Sequence, residues 1–293
     1  MKRKCPVTDL QVAEGQNVNL AKWPTQIPAL YRSKNHYREL LEQYRTEIGE
    51  WQERLYAHNR YAVLLIFQGM DAAGKDGAIK HVMSGVNPQG CQVFSFKEPS
   101  REELDHDFLW RTHRRLPERG RIGIFNRSHY EEVLIVRVRP ALLAAQQLPA
   151  ECIGKHFWRD RYRDIVNWEQ YLHRNGTRIV KFFLHLSKDE QRRRLLARLE
   201  DPLKNWKFAP SDLETRRDWA AFQRAYADCL SATSTAAAPW FVVPADDKWN
   251  ARLLISQVIV DALRRLPLEY PRVSAAHRRE LAHIRRALAR DRG

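Results

Sequence analysis

The spacing of apolar positions changes several times along the chain. Between residues 37 and 55 they fall at Tyr37, Leu40, Leu41, Tyr44, Ile48, Trp51 and Leu55, steps of three or four that predict an amphipathic helix with one core-facing side. Residues 61–68 are then almost continuously apolar up to a glycine, the pattern of a strand buried on both faces of a parallel sheet. Four more such runs follow at 91–96, 121–126, 178–186 and 240–243, separated by segments long enough to carry helices. Strands alternating with helices predict an α/β fold, a five-stranded parallel sheet with helices on both faces. The stretch SATSTAAA, residues 231–238, reads as a loop ahead of the last strand. Pro202 and Pro210 interrupt two otherwise helical segments, so residues 200–211 read as a lid set into one domain spanning 1–293. Residues 1–60 form a polar lead-in and helical extension in this scheme, and 272–293 a basic terminal helix.

Composition narrows the class. With 293 residues, 44% hydrophobic and 29% charged, and only 12 Gly and 14 Pro, the chain is globular and neither disordered nor collagen-like. No apolar run approaches the roughly 20 residues of a membrane helix, and the basic start MKRKCPVTDLQVAEG leads into no hydrophobic segment, so a cytoplasmic protein is expected. Cys5, Cys91, Cys152 and Cys229 form no CxxC pair, which supports neither a zinc site nor a disulfide framework. The net charge of +15 calls for a polyanionic partner, but nucleic acid, a phosphate-rich small molecule and an acidic membrane surface satisfy it equally. Seven arginines against Glu280 and Asp291 put a net +5 of that excess in residues 272–293, where a solvated helix without a ligand would also account for it.

The strongest local signal is Gly69-Met70-Asp71-Ala72-Ala73-Gly74-Lys75-Asp76-Gly77, a GxxxxGK pattern between a strand and a helix. The glycines let the backbone curl so that several N–H groups, those of Ala72 and Ala73 included, converge on a phosphate, with Lys75 on its outer oxygens. Position 76 is Asp where Ser or Thr would meet a magnesium ion, and Asp71 adds a carboxylate inside the loop. A carboxylate beside phosphate needs a cation between them, so Asp71 is the expected Mg²⁺ residue and Asp76 the helix cap. Asn126 and Arg127 end the third strand at the carboxyl edge, where ligands of open α/β sheets bind. Arg127 is placed to stabilise a transferring phosphoryl group, or else forms a surface ion pair. Ser128 and His129 are neighbours in sequence and do not face each other as a nucleophile and base would, so His129 reads as a packing residue.

These segments together resemble the family-2 polyphosphate kinases: GMDAAGKDG, SGVNPQG at 84–90, FKEPS at 96–100, FNRSHYEEVL at 125–134 and DPLKNWK at 201–207, in the family's order over about residues 30–270. The resemblance implies a thymidylate-kinase-like P-loop fold with a helical lid, and reversible Mg²⁺-dependent phosphoryl transfer between inorganic polyphosphate and nucleotides, with Mn²⁺ as an admissible substitute. It assigns Asp71 and Lys75 to the catalytic loop, Asn126 and Arg127 to the second motif, and Arg194, Arg198, Lys204 and Lys207 to the lid. Asn126 in the FNRSHYE form resembles the subgroup accepting both AMP and ADP. An amide is a poorer Mg²⁺ ligand than a carboxylate, which gives Asp71 more to do, together with Glu131.

A basic channel of Lys80, Arg127 and the lid would hold a polyphosphate chain much as a protein holds a nucleic-acid backbone. The acceptor is expected near Phe96, Lys97, Glu98 and Arg111, its base stacked on an aromatic ring, although Phe96 also reads as core. AMP, ADP and ATP are the expected partners, with guanine nucleotides left open, and a homo-oligomer, dimer or tetramer, is expected. Three other readings remain at this point: an ADP-only enzyme, an ordinary ATP-dependent nucleotide kinase, and a nucleic-acid-binding protein with a vestigial loop, though no nucleic-acid-reading module is visible.

Overall fold

The computed structural model describes residues 7–203, 205–208 and 210–291, with the side chains of 207 and 210–212 outside that description. Five strands, β1 (Ala62–Gln68), β2 (Cys91–Ser95), β3 (Ile122–Asn126), β4 (Thr177–His185) and β5 (Trp240–Pro244), form one sheet in the order β2-β3-β1-β4-β5. All pairs are parallel: Val63 pairs with Ile122 and Arg178, Cys91 with Ile122, and Lys181 with Trp240. The strands lie within a residue or two of the apolar runs, because a strand covered on both faces is apolar at most positions; all seven residues of β1 are buried, Gln68 being the one polar residue among them.

The eight helices of eight or more residues among the described residues are α1 (Lys34–His58), α2 (Lys75–Val82), α3 (Phe157–Arg174), α4 (Lys188–Glu200), α5 (Pro210–Arg217), α6 (Trp219–Thr233), α7 (Lys248–Arg264) and α8 (Ala275–Arg290). Alternate residues of β1 enter two different cores. Val63, Leu65 and Phe67 pack with Ile48 and Leu55 of α1, Ile79 and Val82 of α2 and Leu254, Ile255 and Val258 of α7. Leu64 and Ile66 pack on the other face with Ile165 and Leu172 of α3 and Phe222 and Leu230 of α6. The result is the expected three-layer αβα arrangement. Ser33 caps α1 by accepting from the His36 N–H, and Asn59 ends it in the left-handed conformation.

The lead-in departs from the expected polar, helical extension. Val7, Leu10, Val12, Val18 and Leu20 are buried, and the Val12 N–H donates to the Trp240 carbonyl at 2.9 Å beside an antiparallel bridge from Gln11 to Phe241. This segment covers β5, which would otherwise be an open edge of the sheet. Between α4 and α5 lies a short 3-10 turn, Asn205–Lys207, with Trp206 73% exposed. α8 has no buried residue, matching the expected solvated basic helix. Cys91, Cys152 and Cys229 are free, and no described helix is long and apolar enough to cross a membrane. Cys5 and Lys204 lie outside the described residues, as does the side chain of Lys207.

Candidate active site

At the carboxyl edge of β1 the chain turns so tightly that backbone geometry fixes the residue types. A Cβ on Gly69 would sit 3.0 Å from the Leu184 carbonyl oxygen, and Gly74 has φ +102° in the left-handed region. Ala72 adopts φ 63°, a conformation an alanine takes only when its surroundings hold it there. Gly74 caps α2 without any side-chain bond, which leaves the first N–H groups of that helix for a ligand. Lys75 folds back over the loop, its Nζ donating to the Gly69 carbonyl at 2.6 Å and to that of Met70 at 3.4 Å. Burial pushes its pKa down to about 8, with the Arg127 charge adding to the shift.

Arg127 follows β3 with φ 61°, a second left-handed non-glycine residue. Its N–H donates to the Phe67 carbonyl at 3.0 Å, and its Nη2 donates to Asp71 Oδ1 at 2.8 Å. The two loops are thereby tied by backbone and by charge. Asn126 Nδ2 donates to Asp76 Oδ1 at 2.8 Å, so the amide at the strand end meets the first turn of α2. Beneath this layer Lys181 of β4 is fully buried, and its Nζ donates to the Tyr130 hydroxyl, Glu169 Oε2 and the Thr233 carbonyl at 2.8, 2.6 and 2.7 Å. Tyr130 in turn donates to Glu169 Oε1 at 2.8 Å, fixing the turn that follows Arg127. His129 is buried with its ring edge-on to Trp168 and its Nε2 3.8 Å from Glu169 Oε1, beyond hydrogen-bonding distance. Its packing role agrees with the sequence reading.

These elements surround a cleft of about 1120 Å³. Asp71, Ala72, Ala73, Gly74, Lys75, Asp76 and Gly77 line it from the loop, Asn126 and Arg127 from β3, and Phe96, Lys97 and Glu98 from the end of β2. Arg194 and Arg198 face it from α4, and Trp206 from the segment beyond. Lysines and arginines contribute eight lining side chains against four carboxylates.

Several expected roles change. Arg194 is buried and commits every N–H it has: Nε to Glu190 Oε1, Nη1 to the Ala72 and Ala73 carbonyls, and Nη2 to those of Ala245 and Asp246. It therefore clamps the loop against α4 and the β5 end, leaving no donor for a phosphate. Arg111 is buried outside the cleft, where it donates to the Lys97 carbonyl at 2.8 Å and pairs with Glu132 at 3.4 Å, so it can hold the acceptor-side loop but not touch an acceptor. Lys80 is exposed on α2 and does not line the cleft. Glu131, expected beside the metal, is also off the lining; its Oε2 is 3.9 Å from Arg127, and Gln68 is read with its amide nitrogen on Oε1 at 2.9 Å, the orientation that satisfies both ends. Phe96 is 8% exposed, edge-on to Phe125 and under the Arg111 guanidinium, which makes it core that reaches the cleft wall rather than a free stacking platform.

Two cations went unread in the sequence, Lys248 and Arg252, which approach the cleft from the first turns of α7, while Arg193 joins it from the basic run around the lid. The signal for the unread pair was present, since basic residues four apart open a helix directly after the carboxyl end of the last strand.

The family model for polyphosphate kinase 2 matches residues 31–269, most of the chain and the whole of the cleft just described. The chain belongs to the polyphosphate kinase 2 family. Among its relatives, a protein of Rhodopseudomonas palustris named ADP-polyphosphate phosphotransferase is 59% identical over 286 residues, covering 97% of this chain and 99% of that one. An AMP/ADP-polyphosphate phosphotransferase of Meiothermus ruber is 45% identical over 253 residues, 86% of this chain and 91% of its own. The crystal structure of polyphosphate kinase 2 from Arthrobacter aurescens superposes with a TM-score of 0.85 at 39% identity, covering 97% and 98% of the two chains. As a polyphosphate kinase 2 member with this sheet order, the protein has the α/β kinase-like architecture that the sequence led us to expect.

Proposed function

We propose that this protein transfers phosphoryl groups between inorganic polyphosphate and nucleotides, with ADP and AMP as acceptors. The observation that carries the proposal is the cleft: an uncapped helix N-terminus and Lys75 at its centre, within walls where cations outnumber carboxylates eight to four, form a field for a chain of phosphates. The names of the relatives from R. palustris and M. ruber support the same reaction. In the step itself a terminal phosphate oxygen of the acceptor attacks the terminal phosphorus of polyphosphate. The new P–O bond forms as the bridging bond breaks, leaving polyphosphate one unit shorter and requiring no protein nucleophile. Lys75 and the α2 amides hold and neutralise the transferred group, and Arg127, once it trades part of its Asp71 contact for phosphate oxygen, stabilises charge in the transition state.

The site fits Mg²⁺, which uses one or two carboxylates and completes its shell with water and substrate phosphates. Asp71 and Asp76 are the cleft carboxylates on the loop and would hold it. When bound, the ion would neutralise charge on the phosphate oxygens. The neutral amide of Asn126 supports an acceptor site open to two lengths, since no fixed charge there repels an acceptor phosphate. Incubation with polyphosphate, MgCl₂ and either ADP or AMP, with chromatography of the products, tests the proposal: ATP forms from ADP, and ADP then ATP from AMP. Transfer from ATP but not from polyphosphate would overturn it. Turnover of ADP alone would leave the ADP-only reading, which the name of the R. palustris relative favours.

A further inference from the structure

All sixteen residues of α8 are exposed, and the helix carries Arg278, Arg279, Arg285, Arg286 and Arg290 against the single acid Glu280, which is itself paired with His277 at 3.0 Å. Apart from an Arg286 bond to the Ala282 carbonyl within the helix, none of these guanidiniums has a partner among the described residues. Arg286 and Arg290 stand four apart, a like-charge pair that destabilises a helix by itself. Neither packing nor ion pairs offset that repulsion here. On a helical wheel the five arginines occupy one broad arc, separate from the narrow stripe of Leu281, Ile284 and Leu288.

The position of the helix gives that arc a use. Lys248 and Arg252 open α7 at the cleft, and the chain leaves α7 at Arg264, about 25 Å further along the axis for a helix of this length. Leu266 and Leu268 are in the core there, and the backbone of Glu269 contacts the His58 ring at the end of α1, next to the start of β1. α8 is thus rooted at the sheet edge opposite the cleft. The arginine arc of a second copy's α8 would carry the same charge and repel this one, and three aliphatic side chains without an aromatic one make a poor membrane insert.

We infer that α8 is a second, non-catalytic binding arm for inorganic polyphosphate, which retains long chains while their ends react in the cleft. The inference rests on the function proposed above. Because the arm is rooted at the edge opposite the cleft, a short chain fills the cleft alone, whereas a long one can engage both and gain through effective concentration.

The test uses the full-length protein, a truncation after Pro271, and a fivefold variant Arg278→Gln, Arg279→Gln, Arg285→Gln, Arg286→Gln and Arg290→Gln, glutamine being a good helix former. With ADP as acceptor, both variants should keep the wild-type KM for tripolyphosphate within about twofold and raise that for long-chain polyphosphate about tenfold or more, as loss of a linked site does. Direct binding of long chains should lose roughly 4 from the slope of log Kd against log salt in the fivefold variant, about 0.8 for each arginine. Unchanged long-chain KM and slope overturn the inference. So does a variant that loses its assembly state in light scattering, or its retention on phosphatidylserine vesicles, with the polyphosphate slope intact. Failure of the wild-type protein to transfer from either donor would overturn the proposed function instead, while the binding slopes would still decide the arm.

Discussion

Replacing Arg194 by Ala separates two accounts of the lid helix, because a phosphate ligand and a loop clamp fail in different states of the protein. In the structure its side chain is 7% exposed, and the guanidinium makes four bonds to the carbonyls of Ala72, Ala73, Ala245 and Asp246 at 2.6–3.1 Å and one to Glu190 at 2.8 Å. Charged hydrogen bonds contribute about 1.5–3 kcal/mol each where they are independent, but these five share one group and water can re-solvate part of what they leave. Breaking a buried charged contact of this kind costs about 3–5 kcal/mol, a more realistic total. At about 2 °C per kcal/mol for a chain of this size, Arg194→Ala should lower the Tm of the ligand-free protein by about 6–10 °C. Arg194→Lys should recover only part of this, since an ammonium cannot bridge four carbonyls on two segments. Urea unfolding and thermal scans without substrate measure the effect, with kcat and KM taken below the new Tm. A ligand-free Tm within about 1 °C of wild type, together with polyphosphate binding weakened tenfold, would refute the clamp and return Arg194 to the phosphate.

Lys75→Ala should leave the fold intact and reduce turnover by about 10²-fold or more, the usual effect of removing one preorganised charge from a phosphoryl group; near wild-type turnover in the coupled ATP assay would remove the loop from the mechanism. Lys248→Ala and Arg252→Ala should each take about 0.7–0.9 from the salt slope of polyphosphate binding, while a slope unchanged in both would place the chain on the other side of the cleft. Stability should fall on acidification from pH 7. Burial pushes the His129 pKa below its ordinary 6.5, and Lys181 with His129 outweighs the burial cost of the Glu169 carboxylate and holds its pKa below 4.5, so the unfolded chain takes up protons first at both groups. The urea midpoint should therefore drop below about pH 6.5 and again below about 4.5, and a midpoint flat from pH 7.5 to 5 would contradict this. Asn126→Asp sets a carboxylate where Nδ2 now lies 2.8 Å from Asp76 Oδ1, a pair that must share a cation or a proton, and so should shift the kcat/KM ratio toward ADP. A ratio within about twofold of wild type, ~0.4 kcal/mol, would sink that argument.

What could be read from the chain depended on whether the cause was local. The strands were legible because burial on both faces leaves an unbroken apolar run, and the loop because backbone curvature at Gly69 and Gly74 admits few other residues. Arg194 was legible as a basic lid residue but not as a clamp, since the carbonyls it meets are more than fifty residues away on either side. Lys80 illustrates a simpler limit: five residues beyond Lys75 it is about 7.5 Å further along α2, past the cleft wall. The lead-in hid its role because Val7, Leu10, Val12, Val18 and Leu20 have no period; they fit an edge strand that only the folded sheet presents.

The charges of the cleft explain why so much of its surroundings is given to restraint. Eight cations around one opening repel one another when no substrate is present, and left to themselves the long side chains would turn outward to water. Each of the central ones is held otherwise: Lys75 by the Gly69 carbonyl, Arg127 by Asp71 and a left-handed backbone, and Arg194 by four carbonyls. These contacts oppose the repulsion at the cost of strain at Ala72 and Arg127, of order 1 kcal/mol or more each. A phosphate chain entering the cleft then finds Lys75 and Arg127 already held at its walls, so that little beyond the exchange of the Arg127–Asp71 contact has to rearrange as charge develops. The same reasoning sets the division of labour between the two basic regions. Charges that must act on a transferring group are fixed by the fold, whereas those on α8, which have only to retain a polymer, are left on a solvated helix with nothing to orient them.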